Sequence, residues 1–226
     1  MTTANQILSF LFNLHFTPAL PAAVEVMHPF TDDETQRVCK IFYNKYYSDT
    51  QPRNFIIGIN PGRFGGGVTG IPFTDPIRLK SKLNIDNDWP TKQELSSVFI
   101  YDMIEAYGGV EEFYRQFYFT SLSPLGFTKH GKNLNYYDDK ELVKSIEPFA
   151  ETCMQQQLAW AKTSVAFCLG EGANYKFVNK FNEQYGFFKK IVPLAHPRFI
   201  MQYKLKSKQA YIDRYLEALT RYTDKD

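Results

Sequence analysis

The segment from Asn54 to Asp75 reads NFIIGINPGRFGGGVTGIPFTD, and no other stretch restricts the chain as much. An apolar run breaks directly into a loop, and these 22 residues hold six glycines and two prolines. Glycine permits positive φ and close approach of backbone to a ligand, at an entropic cost that packing alone does not justify at a strand end. Apolar, β-prone runs occur at Phe55 to Ile59, Phe117 to Leu122, Val165 to Leu169 and Ile191 to Leu194. Helical patterns lie between and around them. Thr31 to Tyr47 opens as a capping box with Thr31 as N-cap, and Thr91 to Tyr107 opens similarly with Glu94 three residues on. Tyr137 to Lys162 forms a long helix with a break expected at Pro148, and Ser207 to Tyr222 is amphipathic. Alternating strands and helices predict βαβ units and a mostly parallel sheet, whose ligands bind beyond the carboxyl ends of the strands. The glycine-rich loop lies at such an end. So do Ser121-Leu122-Ser123-Pro124, Gly170-Glu171-Gly172 and Ala195-His196-Pro197, and all four loops are expected to meet in one crevice.

The loop fits neither common phosphate cradle. A P-loop requires GxxxxGK followed by Ser or Thr, which is missing here. A dinucleotide fingerprint fails at the second glycine of Gly58-Ile59-Asn60, and after Gly70 no helix is expected until about Pro76.

With 226 residues, the chain suits one well-buried core, and 44% hydrophobic with 22% charged residues is ordinary globular composition. The formal charge is only +2, yet from Lys189 onward nine basic residues face four acidic ones, a patch that suits a polyanion or a solvated face. Cys39, Cys153 and Cys168 form no CxxC pair and are expected to be buried free thiols in a reducing cytoplasm. The four histidines, His15, His28, His130 and His196, show no ligand spacing, so no metal is expected. Ile7, Leu8, Leu11, Phe12 and Leu14 mark an amphipathic N-terminal helix rather than a signal peptide. The first ~50 residues are expected only to pack. No run approaches the roughly 18 apolar residues of a membrane span.

Gly58-Ile59-Asn60-Pro61-Gly62-Arg63-Phe64-Gly65, followed by Thr69-Gly70-Ile71-Pro72-Phe73, resembles the first motif of the single-strand-selective monofunctional uracil-DNA glycosylases, G-M-N-P-G-P-F-G then T-G-V-P-F. His196-Pro197-Arg198 echoes that family's H-P-S-P-R, and FYFTSLSPLGF (Phe117 to Phe127) is similar to its middle segment. The matches keep the family's order from Asn54 to the C-terminus. The departures mark a divergent subtype, expected to be bacterial. The resemblance implies a uracil-DNA glycosylase-like α/β three-layer sandwich, with a central four-stranded, mostly parallel sheet flanked by helices, as a single domain over residues 1–226. Sister families hold an iron–sulfur cluster on four cysteines, which three scattered ones cannot do.

Hydrolysis of a base–deoxyribose bond passes through an oxocarbenium-like transition state with negative charge growing on the departing base. The resemblance makes Asn60 the residue that positions water, since an amide orients water without taking its proton. It makes His196 the donor to O2 of the leaving base, neutral provided that an acceptor holds the ring. Taken singly, Asn60 could instead stabilise a turn and His196 could be a half-buried ring before a proline. Phe73 is expected to stack on the everted base, and backbone N–H groups of Ile59 and Gly62 to meet it. Related uracil-specific enzymes carry Tyr at the Gly62 position, so glycine leaves room there for a water or a 5-substituent. The family's base-reading Asn falls on Ser121, whose single hydroxyl cannot offer donor and acceptor side by side. DNA contacts are expected from Arg63, which replaces a family proline, and from a wedge loop carrying Arg198 and Phe199 with Lys204, Lys206 and Lys208 at phosphates.

The expected function is thus cofactor-free, monofunctional glycosylase action on uracil or a related deaminated or 5-substituted base in DNA, by a cytoplasmic monomer in base excision repair. A catalytically silent nucleic-acid-binding module and a hydrolase of free nucleosides are the alternatives.

Overall fold

The computed structural model describes residues 1–223; Asp224, Lys225 and Asp226, part of the basic C-terminal stretch, lie outside the described residues. Its elements run α1 (Thr3–Phe12), β1 (Val24–Met27), α2 (Asp33–Tyr46), β2 (Arg53–Gly58), α3 (Gly66–Thr69), α4 (Pro76–Leu83), α5 (Leu95–Tyr107), α6 (Val110–Gln116), β3 (Phe117–Ser121), β4 (Gly126–Lys129), β5 (Lys132–Leu134), α7 (Lys140–Gln157), β6 (Ala161–Leu169), α8 (Ala173–Tyr185), β7 (Ile191–Leu194), α9 (Pro197–Tyr203) and α10 (Lys208–Thr223).

The four apolar runs form one sheet in the order β3-β2-β6-β7, and each adjacent pair is parallel. All six residues of β2, all five of β3 and the last five of β6 are buried; the apolar runs within them follow from this, and Arg53, Asn54, Thr120 and Ser121 are the buried polar residues at the strand ends. Helices flank this sheet, as expected; α1 packs on α2, and α5 packs on α9 and α10. The parallel register brings Gly58 level with Ser121, so the loops after β2 and β3 leave the sheet side by side.

A second sheet, β1-β4-β5, is antiparallel throughout and was not expected. Its strands have only four, four and three residues. The β4–β5 hairpin turns on His130 and Gly131, with φ of 50° and 69°. Positive φ at both positions is what a type I′ two-residue hairpin demands, and His-Gly carries none of the usual Asn-Gly signal. The N-terminal region therefore does more than pack, since β1 is an edge of this sheet.

Helix starts also shift. Asp32, not Thr31, caps α2 by accepting from the Thr35 N–H at 2.9 Å, while the Thr31 hydroxyl donates to the carbonyl of His28. Glu94 is not the third residue of a capping box: it stands at the N-cap of α5 without a side-chain cap bond, which frees its carboxyl for other surroundings. Pro148 sits within α7 and does not end it.

Gly70 closes α3 with φ of 72°, and a Cβ there would stand 2.7 Å from the Cys39 sulfur and 2.8 Å from Thr35 Cγ2. Gly70→Ala is therefore expected to cost at least about 2 kcal/mol, from left-handed strain plus overpacking, measured as a lower urea midpoint at unchanged m-value.

Candidate active site

Loops following β2, β3 and β7 meet in one pocket, lined by Ile59, Asn60, Gly62, Phe73, Ser121, His196 and Arg198 among others. Its empty volume is about 610 Å³, part of it open to solvent. The fourth expected loop does not line it. Gly170 lies behind His196 and donates its N–H to the carbonyl of Leu194 at 2.7 Å, which seals the ends of β6 and β7. In its place stand Glu94, Asn133 and Asn135.

Asn60 has both ends of its carboxamide engaged. Nδ2 donates to the carbonyl of Leu134 at 3.1 Å, and Oδ1 accepts the N–H of Tyr136 at 3.0 Å. A carbonyl on one side and an N–H on the other admit only one orientation of the amide. One N–H and one lone pair of that amide stay unused, enough to hold a water. Tyr136 is fixed in turn: its hydroxyl donates to Oδ1 of Asn174 at 2.7 Å, and Asn174 donates to the carbonyl of Leu169 at 2.9 Å.

His196 is the N-cap of α9, and its Nδ1 accepts the N–H of Arg198 at 3.1 Å. Burial, and then the neighbouring Arg198 charge, lower its pKa to about 4, so the ring is neutral at physiological pH. With Nδ1 accepting, the proton must reside on Nε2. Here the expectation is corrected: the partner holding the ring is a donor, not an acceptor. An acceptor at Nδ1 would have drawn the proton there and left Nε2 unable to donate.

Phe73 adopts φ of 56°, rare for an aromatic residue. Its ring lies 5.3 Å from that of Phe119 and 6.4 Å from the imidazole of His196, centre to centre. Gly58 makes this possible, because a Cβ there would stand 2.9 Å from the Phe73 ring edge and 3.2 Å from the Ser121 hydroxyl. Ser121 is buried at the end of β3.

The space beside Gly62 is occupied. A Cβ on Gly62 would stand 2.9 Å from a carboxyl oxygen of Glu94 and 3.5 Å from Nδ2 of Asn133. The other Glu94 oxygen lies still closer to the Cβ position of Gly65. Glycine at these places thus accommodates a carboxyl from the protein itself, not simply a water or a substituent. The backbone N–H of Glu94 donates to the buried Asp75 carboxylate at 2.9 Å, and Asp75 is also paired with Arg78. Burial, then the Asp75 charge, push the Glu94 pKa up to about 7 against the opposing pull of Arg198.

The DNA-facing candidates divide. Arg198 and Phe199 belong to the first turn of the seven-residue helix α9, not to a loop, because Pro197 and the His196 cap start a helix there. Phe199 is exposed and lies 5.7 Å from the exposed Tyr203 ring. Lys204 and Lys206 are exposed, whereas Lys208 pairs with Asp102 at 2.8 Å and is drawn toward α5. Arg63 donates its backbone N–H to Asn133 at 3.1 Å, packs on Phe64, and its guanidinium donates to the carbonyl of Gly131. The three cysteines are buried and free, and among the described residues no cluster of three or more His, Cys, Asp or Glu could hold a metal. No helix among the described residues is long and apolar enough to cross a membrane.

Residues 44–220 match the family model of the uracil DNA glycosylase superfamily, and the chain belongs to that superfamily. It is a hydrolase of the uracil-DNA glycosylase type, a class that serves base excision repair. Within the class it is SMUG-like: it shares 49% identity with the wild-type SMUG2 of Pedobacter heparinus, whose crystal structure it matches over 100% of both chains with a TM-score of 0.97. Comparison with curated protein sequences gives no match.

Two outcomes follow from the site's electrostatics. Ring ¹⁵N shifts should find His196 as the neutral Nε2–H tautomer down to about pH 5, with protonation centred near 4. For Glu94, the folded pKa of about 7 exceeds the ordinary 4.5, so the folded state loses stability as pH climbs between these values. Glu94→Gln is therefore expected to melt at least about 2 °C above wild type at pH 8, with the difference shrinking as pH falls to about 4.

Proposed function

We propose that the protein flips uracil, or a deaminated or 5-substituted relative, out of DNA into this pocket and hydrolyses its N-glycosidic bond. The observation that carries this proposal is the meeting of a fixed Asn60 amide and a neutral Nε2–H of His196 in a single pocket. Asn60 holds the attacking water through the donor and acceptor sites that the backbone leaves unused. His196 donates from Nε2 to O2 of the base as negative charge gathers there. A neutral donor needs no proton transfer to do this, and its alignment is set before substrate arrives. Phe73 supplies a stacking face, with Ile59 and Gly62 lining the base and the Ser121 hydroxyl reading it. Base discrimination through one hydroxyl is looser than through an amide.

Arg63, Arg198, Phe199, Lys204 and Lys206 would lie along the DNA, Phe199 and Arg198 holding open the gap left by the flipped nucleotide. Lys208, already paired with Asp102, contributes less there. The enzyme is proposed to work as a cytoplasmic monomer without a cofactor. Incubation with single- and double-stranded oligonucleotides containing uracil is expected to yield free uracil and an abasic site. Asn60→Ala and His196→Ala should each slow release at least ~10²-fold in single turnover. Full activity of Asn60→Ala would reject its role. Release from free deoxyuridine at a rate matching the oligonucleotide would point to a nucleoside hydrolase instead, and binding without release to a silent module.

A further inference from the structure

The proposed hydrolysis leaves one proton unplaced. Water attacking C1′ must lose a proton, and Asn60 cannot take it because an amide is not a base near neutral pH. His196 cannot take it either. Its Nδ1 lone pair is engaged by the Arg198 N–H, and Nε2 already bears the proton. Arg198 is a permanent cation, and the other polar groups lining the pocket are amides and hydroxyls. Only Glu94 remains.

Its placement suits the task. Glu94 lines both the base pocket and the larger open groove beside it, so it stands at the mouth where the sugar of an everted nucleotide would lie. Its carboxyl rests on Gly62, two residues beyond Asn60 on the same loop. Asp75 fixes its backbone, yet among the described residues its carboxyl has no hydrogen-bond partner. The backbone is thus fixed, while the half-buried carboxyl borders both cavities and is open to a ligand there.

We infer that Glu94 is a catalytic residue, the general base that accepts a proton from the water held by Asn60. This rests on the glycosylase reading above. In the step, the water oxygen bonds to C1′ while the C1′–N bond breaks and its electron pair goes to the base. The water proton passes to a Glu94 oxygen. The base departs as an anion held by His196 and takes a proton from solvent, and Glu94 releases its own to solvent.

The charges around Glu94 set its working range. Asp75, itself paired with Arg78 on α4, raises its affinity for a proton, and Arg198 on α9 lowers it. Arg63 of the glycine loop and Lys132 on β5 border the adjoining groove, and Lys92 lies over the ring of Phe64 there. With a pKa of about 7 the carboxylate is available at physiological pH while still basic enough to take a proton.

The test is single-turnover uracil release from a single-stranded oligonucleotide between pH 5 and 9, with wild type and Glu94→Gln, alongside binding to an oligonucleotide carrying a tetrahydrofuran abasic analogue. Wild type should speed up with pH and level off above an inflection near 7. Glu94→Gln should be ~10²-fold slower at pH 8 and flat with pH, with analogue binding and cooperative melting intact. A Glu94→Gln enzyme with the wild-type rate and profile overturns the inference. So does one slowed only through weaker binding. A wild type that releases no uracil from any such oligonucleotide overturns the glycosylase reading, and this inference with it.

Discussion

Burial of β2 on both faces is the condition from which the rest of the molecule follows. A strand enclosed on all sides ends inside the protein, so the polar groups just beyond it must find partners there or carry a desolvation cost. The chain solves this by folding the segment after β5 over the strand end. Leu134 offers a carbonyl and Tyr136 an N–H, and the two together clasp the amide of Asn60. Tyr136 passes the constraint through Asn174 to the end of β6. The orientation of a single amide is thereby a consequence of how two neighbouring strands terminate. This also explains the small antiparallel sheet, whose hairpin holds that segment in place.

Around the pocket, bonded and unbonded polar groups are sorted by task. The Asn60 amide and the Nδ1 face of His196 are committed to backbone, which leaves each a defined remaining direction. The Glu94 carboxyl is the opposite case. Asp75 both locks its main chain and crowds it with negative charge, so one buried carboxylate sets the position and the proton affinity of another. In the proposed reaction, the groups that point are bonded, and the group that exchanges a proton is left free.

Much of this was legible in the residues. The four sheet strands announced themselves because double burial forces unbroken apolar runs, and parallel topology then required the loops of Asn60, Ser121 and His196 to lie together. What escaped notice depends on conformation that composition does not encode. His130-Gly131 is an inconspicuous hairpin turn and gives no signal for β4 and β5, although the period-two spacing of Asn133 and Asn135 puts both amides on one face. The left-handed φ of Phe73 has no sequence signature. Glu94 was obscured by a plausible local pattern: Thr91 and Glu94 match a capping box, and tertiary demand for the Glu94 N–H at Asp75 moved the helix start past both. The resemblance asks for an acceptor to hold the His196 ring, whereas the Pro197 helix start turns a backbone N–H, a donor, toward it.

That helix start has a mechanical result. His196 caps α9, and Arg198 and Phe199 occupy its first turn, so the imidazole and the groups facing the groove belong to one short rigid element. The same helix packs against α5, whose N-cap is Glu94. In the proposed complex, a nucleic acid strand pressing on Phe199 or Arg198 would bear on the helix that aims Nε2, and that helix is braced against the element carrying the carboxyl. Lys208 reinforces the brace by tying α10 to Asp102 of α5. A flexible wedge loop could yield to the strand without disturbing the pocket; a helix cannot, so engagement of the polymer and alignment of the proposed proton acceptor and leaving-group donor are linked through the α5–α9 contact.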